Sequence, residues 1–259
     1  MTQLSSPAIL IRRLDYGDYD LIITFLTQRQ GKITTIAKSA KRSTKRFAGI
    51  LELFSLLDIV VSRKRGKGLP ILTEASLSQP LSNIRSDINK TAYASYWAEL
   101  INDSLEDDKP QTSVFQVLTY VLTAMDANHM PDEVLSILFQ MRLLTLSGLC
   151  PNLSFCSTCH ADMAAAGQHQ INIDLAKGGL VCESCSPYGS GHQCLSKGTI
   201  KQLQWLNTCD LEKASRMRFS TSAMHEGLNF LEAFVPYHLG REPKSLKFLR
   251  RLRQQPYRK

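Results

Sequence analysis

Four of the seven cysteines fall into two pairs, Cys156 with Cys159 and Cys182 with Cys185, and 22 residues separate the pairs. Two residues between thiols let one tight knuckle present both sulfurs to a single ion. A second knuckle completes the tetrahedron that zinc accepts. The insert holds Gly178 and Gly179 beside short apolar runs, Ile171 with Ile173 and Leu180 with Val181, which suits a zinc-ribbon hairpin. Four thiolates close the coordination sphere and leave no position for a catalytic water, so the expected Zn2+ is structural. His160 and His192 are near enough to substitute for a ligand, but surface histidines are the simpler reading. Two separated pairs do not suit a thioredoxin-like redox centre, which uses one pair on a βαβ frame. Cys150, Cys194 and Cys209 read as ordinary buried or loop thiols.

Disulfides would require an oxidising compartment, and Met1 to Leu10 lack the basic and apolar regions of a secretory leader. No segment approaches the roughly 18 uninterrupted apolar residues of a membrane span. With 43% apolar and 21% charged residues in 259, the chain has the make-up of a globular protein. A cytoplasmic, nucleoid-associated protein without membrane contact is the expectation. The net charge of +8 is unevenly spread. Residues 1–80 carry 13 basic and 6 acidic side chains, residues 81–200 carry 6 and 12, and residues 201–259 carry 12 and 5. Two basic ends around an acidic middle point to a polyanionic partner.

Periodicity predicts an α+β protein. Ile9 and Ile11, Leu21 to Leu26 and Ile33 to Ala37 read as three short strands, with a hairpin turn at Gly31. A long run from Leu51 to Ser62 places Leu51, Leu53, Leu57, Ile59 and Val61 on one face, and Ile71 to Ser76 makes a fifth strand. Five strands in about 70 residues suggest a small barrel, OB-like or SH3-like. Beyond Pro80 the period becomes helical. Helices are expected over 83–107, 111–127, 131–146, 198–208 and 221–238, with a last basic segment from Lys244 to Arg253. The third is apolar almost all round and should be the buried centre of a bundle, with Arg142 its one interior charge. Arg142 reads first as snorkelling to the surface and second as an anion or partner contact. The domain reading is a barrel over 1–80 and a helical domain over 81–259 with a zinc-binding insert at 150–197.

Lys38, Lys41, Arg42, Lys45 and Arg46 put five cations into nine residues directly after a strand, mixed with Ser and Thr. Arg63, Lys64, Arg65 and Lys67 add four more in a turn. Such groups suit phosphate oxygens and carry no base code, and on a small barrel these loops border the groove where single strands lie. Tyr16, Tyr19, Phe25, Phe47 and Phe54 are the aromatics at hand for stacking, with Phe25 and Phe54 better suited to the core. In the C-terminal segment Leu246, Leu249 and Leu252 share one helical face, while Lys244, Lys247 and Arg251 share another. Phosphate loops of the Walker type, HExxH, the zinc-deaminase pattern and GxSxG are all missing, so a non-enzymatic role is expected.

Three segments together resemble the RecO family of bacterial recombination mediators over nearly the whole chain. The first is Tyr16 to Asp20 with Leu26, Thr27, Gly31, Lys32 and the cations Lys38 to Arg46. The second runs from Phe139 through Arg142 and Gly148 to Pro151 and into the first knuckle. The third runs from Leu239 through Arg241 into Lys244 to Leu249. Asp18 and His160 stand where the family often has Glu and Gly. The resemblance implies an N-terminal OB-fold, a helical domain and an inserted zinc element. It implies binding of single- and double-stranded DNA, annealing of complementary strands, and action with RecR, sometimes RecF, to load RecA onto DNA coated by single-strand-binding protein. The acidic tail of that protein is a further implied contact. Members without the zinc cysteines exist, so the metal is not what the activity rests on.

Two other readings stay open at this level. One is an adaptor that captures an acidic peptide in a bundle groove, with Arg241 and Lys244 as candidate contacts; together with Arg142, Lys247, Arg250 and Arg251 these are candidate partner or DNA contacts. The other is a zinc-ribbon RNA-binding or transcription factor, which would prefer RNA over DNA in competition.

Overall fold

The computed structural model describes residues 2–63, 68–164, 167, 169–186 and 193–254. Lys64, Arg65 and Lys67 of the basic turn, and His192, lie outside them. The chain divides into two compact units, Met1–Asn128 with Lys247–Lys259, and His129–Leu246.

The first unit is built on a closed barrel of β1 (Thr2–Tyr16), β2 (Asp20–Thr27), β3 (Gly31–Ala37), β4 (Leu56–Arg63) and β5 (Ile71–Gln79). The strand order β1-β2-β3-β5-β4, closed by β1 against β4, is that of the OB-fold. β1 is far longer than Ile9 and Ile11 alone suggest, because polar residues at both its ends hide the strand. Its residues 2–9 pair with β4 and its residues 8–16 with β2. The register slips between Leu10 and Arg12, a bulge that lets one strand turn from one neighbour to the next. Leu10, Ile23, Phe25, Ile33, Leu57, Ile59, Val61 and Leu72 fill the interior. The expected strand from Leu51 is shortened, since β4 begins only at Leu56. Phe54 adopts a left-handed φ of 67° and its amide donates to the Leu10 carbonyl, so Leu51 and Phe54 reach the core from a turn.

Three helices follow, α1 (Ser82–Ser86), α2 (Ile88–Ser104) and α3 (Thr112–Asp126). The single helix expected over 83–107 is broken at Asp87, whose backbone is extended. The Asp87 carboxylate accepts from the Asn89 and Lys90 amides at 2.7 and 3.2 Å, so an internal cap restarts the helix. The acidic stretch after α2 lies on the barrel. Lys32 is almost fully buried and pairs with Asp107 at 3.2 Å, while the Asp108 amide donates to the Lys32 carbonyl. Gly31 has φ 73°, and a Cβ there would stand 1.7 Å from the Lys109 carbonyl oxygen. Only a glycine satisfies both the turn and this close approach.

In the second unit α4 (Asp132–Leu146) is buried on nearly every side and packs against α5 (Lys197–Thr208) and α7 (Thr221–Leu239). Asp132 and Glu133 oppose its dipole at the start, and Gly148 at φ 73° ends it, with the Leu149 amide donating back to Leu144. A short α6 (Leu211–Ala214) follows α5, and a three-stranded sheet of β6 (Gln170–Asp174), β7 (Gly179–Val181) and β8 (Gln193–Ser196) has the order β7-β6-β8. The last described helix is α8 (Lys244–Gln254).

Glu226 on α7 clamps the start of α5. It accepts from the Ser196 amide at 2.8 Å, the Thr199 hydroxyl at 2.6 Å and the Ser222 hydroxyl at 3.3 Å. Burial works against its charge, but these donors outweigh it and hold the carboxyl below its ordinary value of 4.5.

Two outcomes follow from this packing. Gly31→Ala separates the 107–110 segment from the barrel and lowers stability by about 2 kcal/mol or more in urea unfolding. Glu226→Gln costs about 1–2 kcal/mol at pH 7. That cost is full above the ordinary carboxyl value, declines as pH falls through the lowered folded value, and is absent below it. A pH-independent difference between the two proteins in urea melts would contradict the clamp.

Candidate functional site

The two knuckles converge. The sulfurs of Cys156, Cys159, Cys182 and Cys185 all lie within 4.8 Å of one another, and Cys159 and Cys182 are 3.6 Å apart. A tetrahedron with Zn–S bonds of 2.3 Å has edges of about 3.8 Å, so these residues fit a zinc ion. Local folding explains the convergence. The Cys156 amide donates to Ala161 and the His160 amide to Cys156, which curls the first knuckle, and the Ser157 amide ties it to Leu180 on β7. His160 holds a left-handed φ of 59°, a conformation that glycine adopts at least cost. Gly179 packs against Asn152 so closely that a Cβ would meet the Asn152 carbonyl oxygen at 2.3 Å.

The electrostatics show why such a cluster wants a cation. Burial opposes a charge on Cys156, yet the amides of Cys159, Cys182 and Thr158 point at its sulfur and bring the thiol down to about 6. Cys185 goes the other way, pushed up to about 12 by hydrogen bonds with the Cys182 and Cys159 sulfurs. One sulfur is prepared to ionise, whereas four together need a dication between them.

The five cations of 38–46 are all exposed, and Lys41 and Arg42 are held against the β1–β2 hairpin. Beyond the bulge the hairpin carries two faces. Arg13 and Asp15 point one way, toward Glu52 at 3.2 Å and Lys41 at 3.0 Å. Arg12, Leu14 and Tyr16 alternate onto the other face, opposite Thr24, Ile22 and Asp20. Leu14 and Tyr16 remain 42% and 54% exposed. At the turn the Lys41 amide donates to the Tyr19 carbonyl and the Ser39 amide to the Asp20 carboxylate. The Arg42 guanidinium stacks 3.3 Å from the centre of the Tyr19 ring. Arg46 lies over Phe47 and donates to the Lys38 carbonyl. Lys38 and Lys45 have no ion-pair partner among the described residues.

Of the candidate aromatics, Phe25, Phe47 and Phe54 are buried, and Tyr16 and Tyr19 are at the surface. Arg63 is bound to Asp108. Arg142 is half-buried and donates to the carbonyl of Cys209, the residue that ends α5, where a cation also suits the helix dipole. Arg241, Lys244, Lys247 and Arg251 are exposed, and Arg250 is half-buried. Arg12 and Leu14 belong to the hairpin surface and are absent from the sequence-based set. The signal for them was the period-2 row Arg12, Leu14, Tyr16, which continues β1 past Ile11.

The family model described as Recombination protein O N terminal matches residues 1–81, and that described as Recombination protein O C terminal matches residues 85–247. The chain is 45% identical over 258 residues to a DNA repair protein RecO of Desulfatibacillum aliphaticivorans, covering 99% of this chain and 100% of the relative. It is also 45% identical to the DNA repair protein RecO of Desulfosudis oleivorans, over 98% and 99% of the two chains. The protein of that name from Syntrophus aciditrophicus is 33% identical over 94% of each.

The converging thiols carry a direct expectation. The purified chain releases about one zinc per molecule when its thiols are titrated. Replacing Cys182 and Cys185 with Ser abolishes that release and lowers the melting midpoint by about 5 °C or more. A purified chain that releases no zinc, or a double variant with the wild-type midpoint, would contradict it.

Proposed function

The chain belongs to the RecO family, and on that premise we propose that it is a DNA-binding recombination mediator without covalent chemistry of its own. It holds unpaired strands, brings complementary ones together and, with RecR, helps load RecA onto DNA covered by single-strand-binding protein, whose acidic tail it contacts. The zinc ion braces the second unit and takes no part in strand pairing.

The observation that carries this reading is the hairpin surface, where exposed cations and exposed aromatic rings occur together, with Arg42 stacked on Tyr19. Two strands repel because each is a polyanion, and cations laid along one of them lower that repulsion by releasing condensed counterions. Tyr16 offers a ring that any base can stack on, and Arg42 on Tyr19 forms a planar cationic platform beside it, which favours unpaired strands without a sequence code. The Asp15 carboxylate holds Lys41 through an exposed ion pair, a contact weak enough to yield to a phosphate.

If about six cations meet phosphates of a single strand, log K falls with log salt at a slope near −4. Replacing Lys38 and Lys45 with Ala flattens that slope by about 1.4, and the quadruple Ala variant of Lys41, Arg42, Lys45 and Arg46 weakens binding further. Fluorescence anisotropy with a labelled oligonucleotide reads both. Annealing of DNA pre-coated with single-strand-binding protein, with and without RecR, separates a mediator from a passive binder. Unchanged affinity and slope in the quadruple variant would count against the proposal.

A further inference from the structure

The basic helix α8 presents chemistry of the same kind as the hairpin surface, on a different element. Lys247, Phe248, Arg251 and Gln254 occupy positions i, i+1, i+4 and i+7 and are all exposed, while Leu246 and Leu249 on the other side are fully buried. Phe248 shows 46% of its surface to solvent between two cations. The segment 244–254 contains five cations and no carboxylate.

We propose that this face of α8 is a second binding surface for an unpaired DNA strand, with Lys247 and Arg251 on phosphates, Phe248 stacked on a base and Gln254 as a polar contact. It rests on the strand-binding role proposed above and adds a second surface to it, so that one chain holds two strands at once. A strand suits the site better than an acidic peptide does. An exposed ring beside cations is what base stacking uses, whereas peptides are captured in grooves or at sheet edges.

The test uses the full chain. Native mass spectrometry counts short thymidine oligonucleotides bound per chain, and a separate assay reads annealing of complementary strands. A triple variant, Lys247→Ala with Phe248→Ala and Arg251→Ala, is checked for folding by its melting curve. Phe248→Ala alone is the milder variant should the triple one fail to fold. Wild type binds two strands, and the triple variant binds one with affinity within about twofold and anneals about tenfold more slowly. In Phe248→Trp, annealing is retained and oligonucleotide quenches the added indole fluorescence relative to wild type. Unchanged stoichiometry and annealing in the folded variants overturn the proposal. So does quenching of Phe248→Trp by poly-glutamate but not by oligonucleotide, which would assign the face to an acidic protein. A wild-type chain that binds no oligonucleotide at all defeats the strand-binding role itself; one that binds a single strand through the hairpin surface defeats only the second site.

Discussion

The pairing of β1 with two neighbours is the constraint on which the first unit depends. Its early residues close the barrel on β4, its late residues pair with β2, and the bulge at Leu10 to Arg12 makes both possible. Because the strand continues past the point where β4 leaves it, the hairpin projects Arg12, Leu14 and Tyr16 beyond the core that Leu10 and Phe25 fill. The basic segment after β3 is then tied to the hairpin turn by backbone bonds and by the stack of Arg42 on Tyr19. Cations are displayed on a rigid frame, which reduces the ordering cost when a strand is bound.

Charge is apportioned so that only some cations remain open. Lys32 is buried and satisfied by Asp107 and the Asn102 carbonyl, Arg63 is bound to Asp108, and Arg142 ends α5. These three serve the fold. The acidic middle of the chain thus has a structural use, since part of it neutralises barrel cations at positions away from the hairpin turn. The cysteine cluster is a parallel case in the second unit, where four converging sulfurs beside a small three-stranded sheet could hold a metal ion.

Features with strong local signatures were legible in the sequence. The paired cysteines declared their knuckles, the segment from Val134 to Leu144, apolar on almost every side, declared a central helix, and alternation at Leu57, Ile59 and Val61 declared a barrel face. What stayed hidden depends on tertiary contacts. Nothing local distinguishes Asp87 as a cap from a helical aspartate, because its role requires the backbone to leave the helix there. The two closure modes of a small barrel share one strand pattern and differ only in which strands meet. Arg63 and Lys38 look equivalent as cations in sequence, and only the arrival of Asp108 from far along the chain separates them. The helical pattern assigns Phe248 to neither face of the basic helix, and its exposure follows from Leu246 and Leu249 occupying the buried side.

The central claim is that unpaired DNA lies across the β1–β2 hairpin and the basic segment behind it. Photo-crosslinking with an oligonucleotide carrying 5-iodouracil, followed by peptide mapping of the adducts, tests this most directly. The account predicts adducts on peptides containing Tyr16 or Tyr19, lost on competition with unlabelled single strands. Adducts confined to the helices between residues 82 and 146, with both tyrosines unmodified, would contradict it.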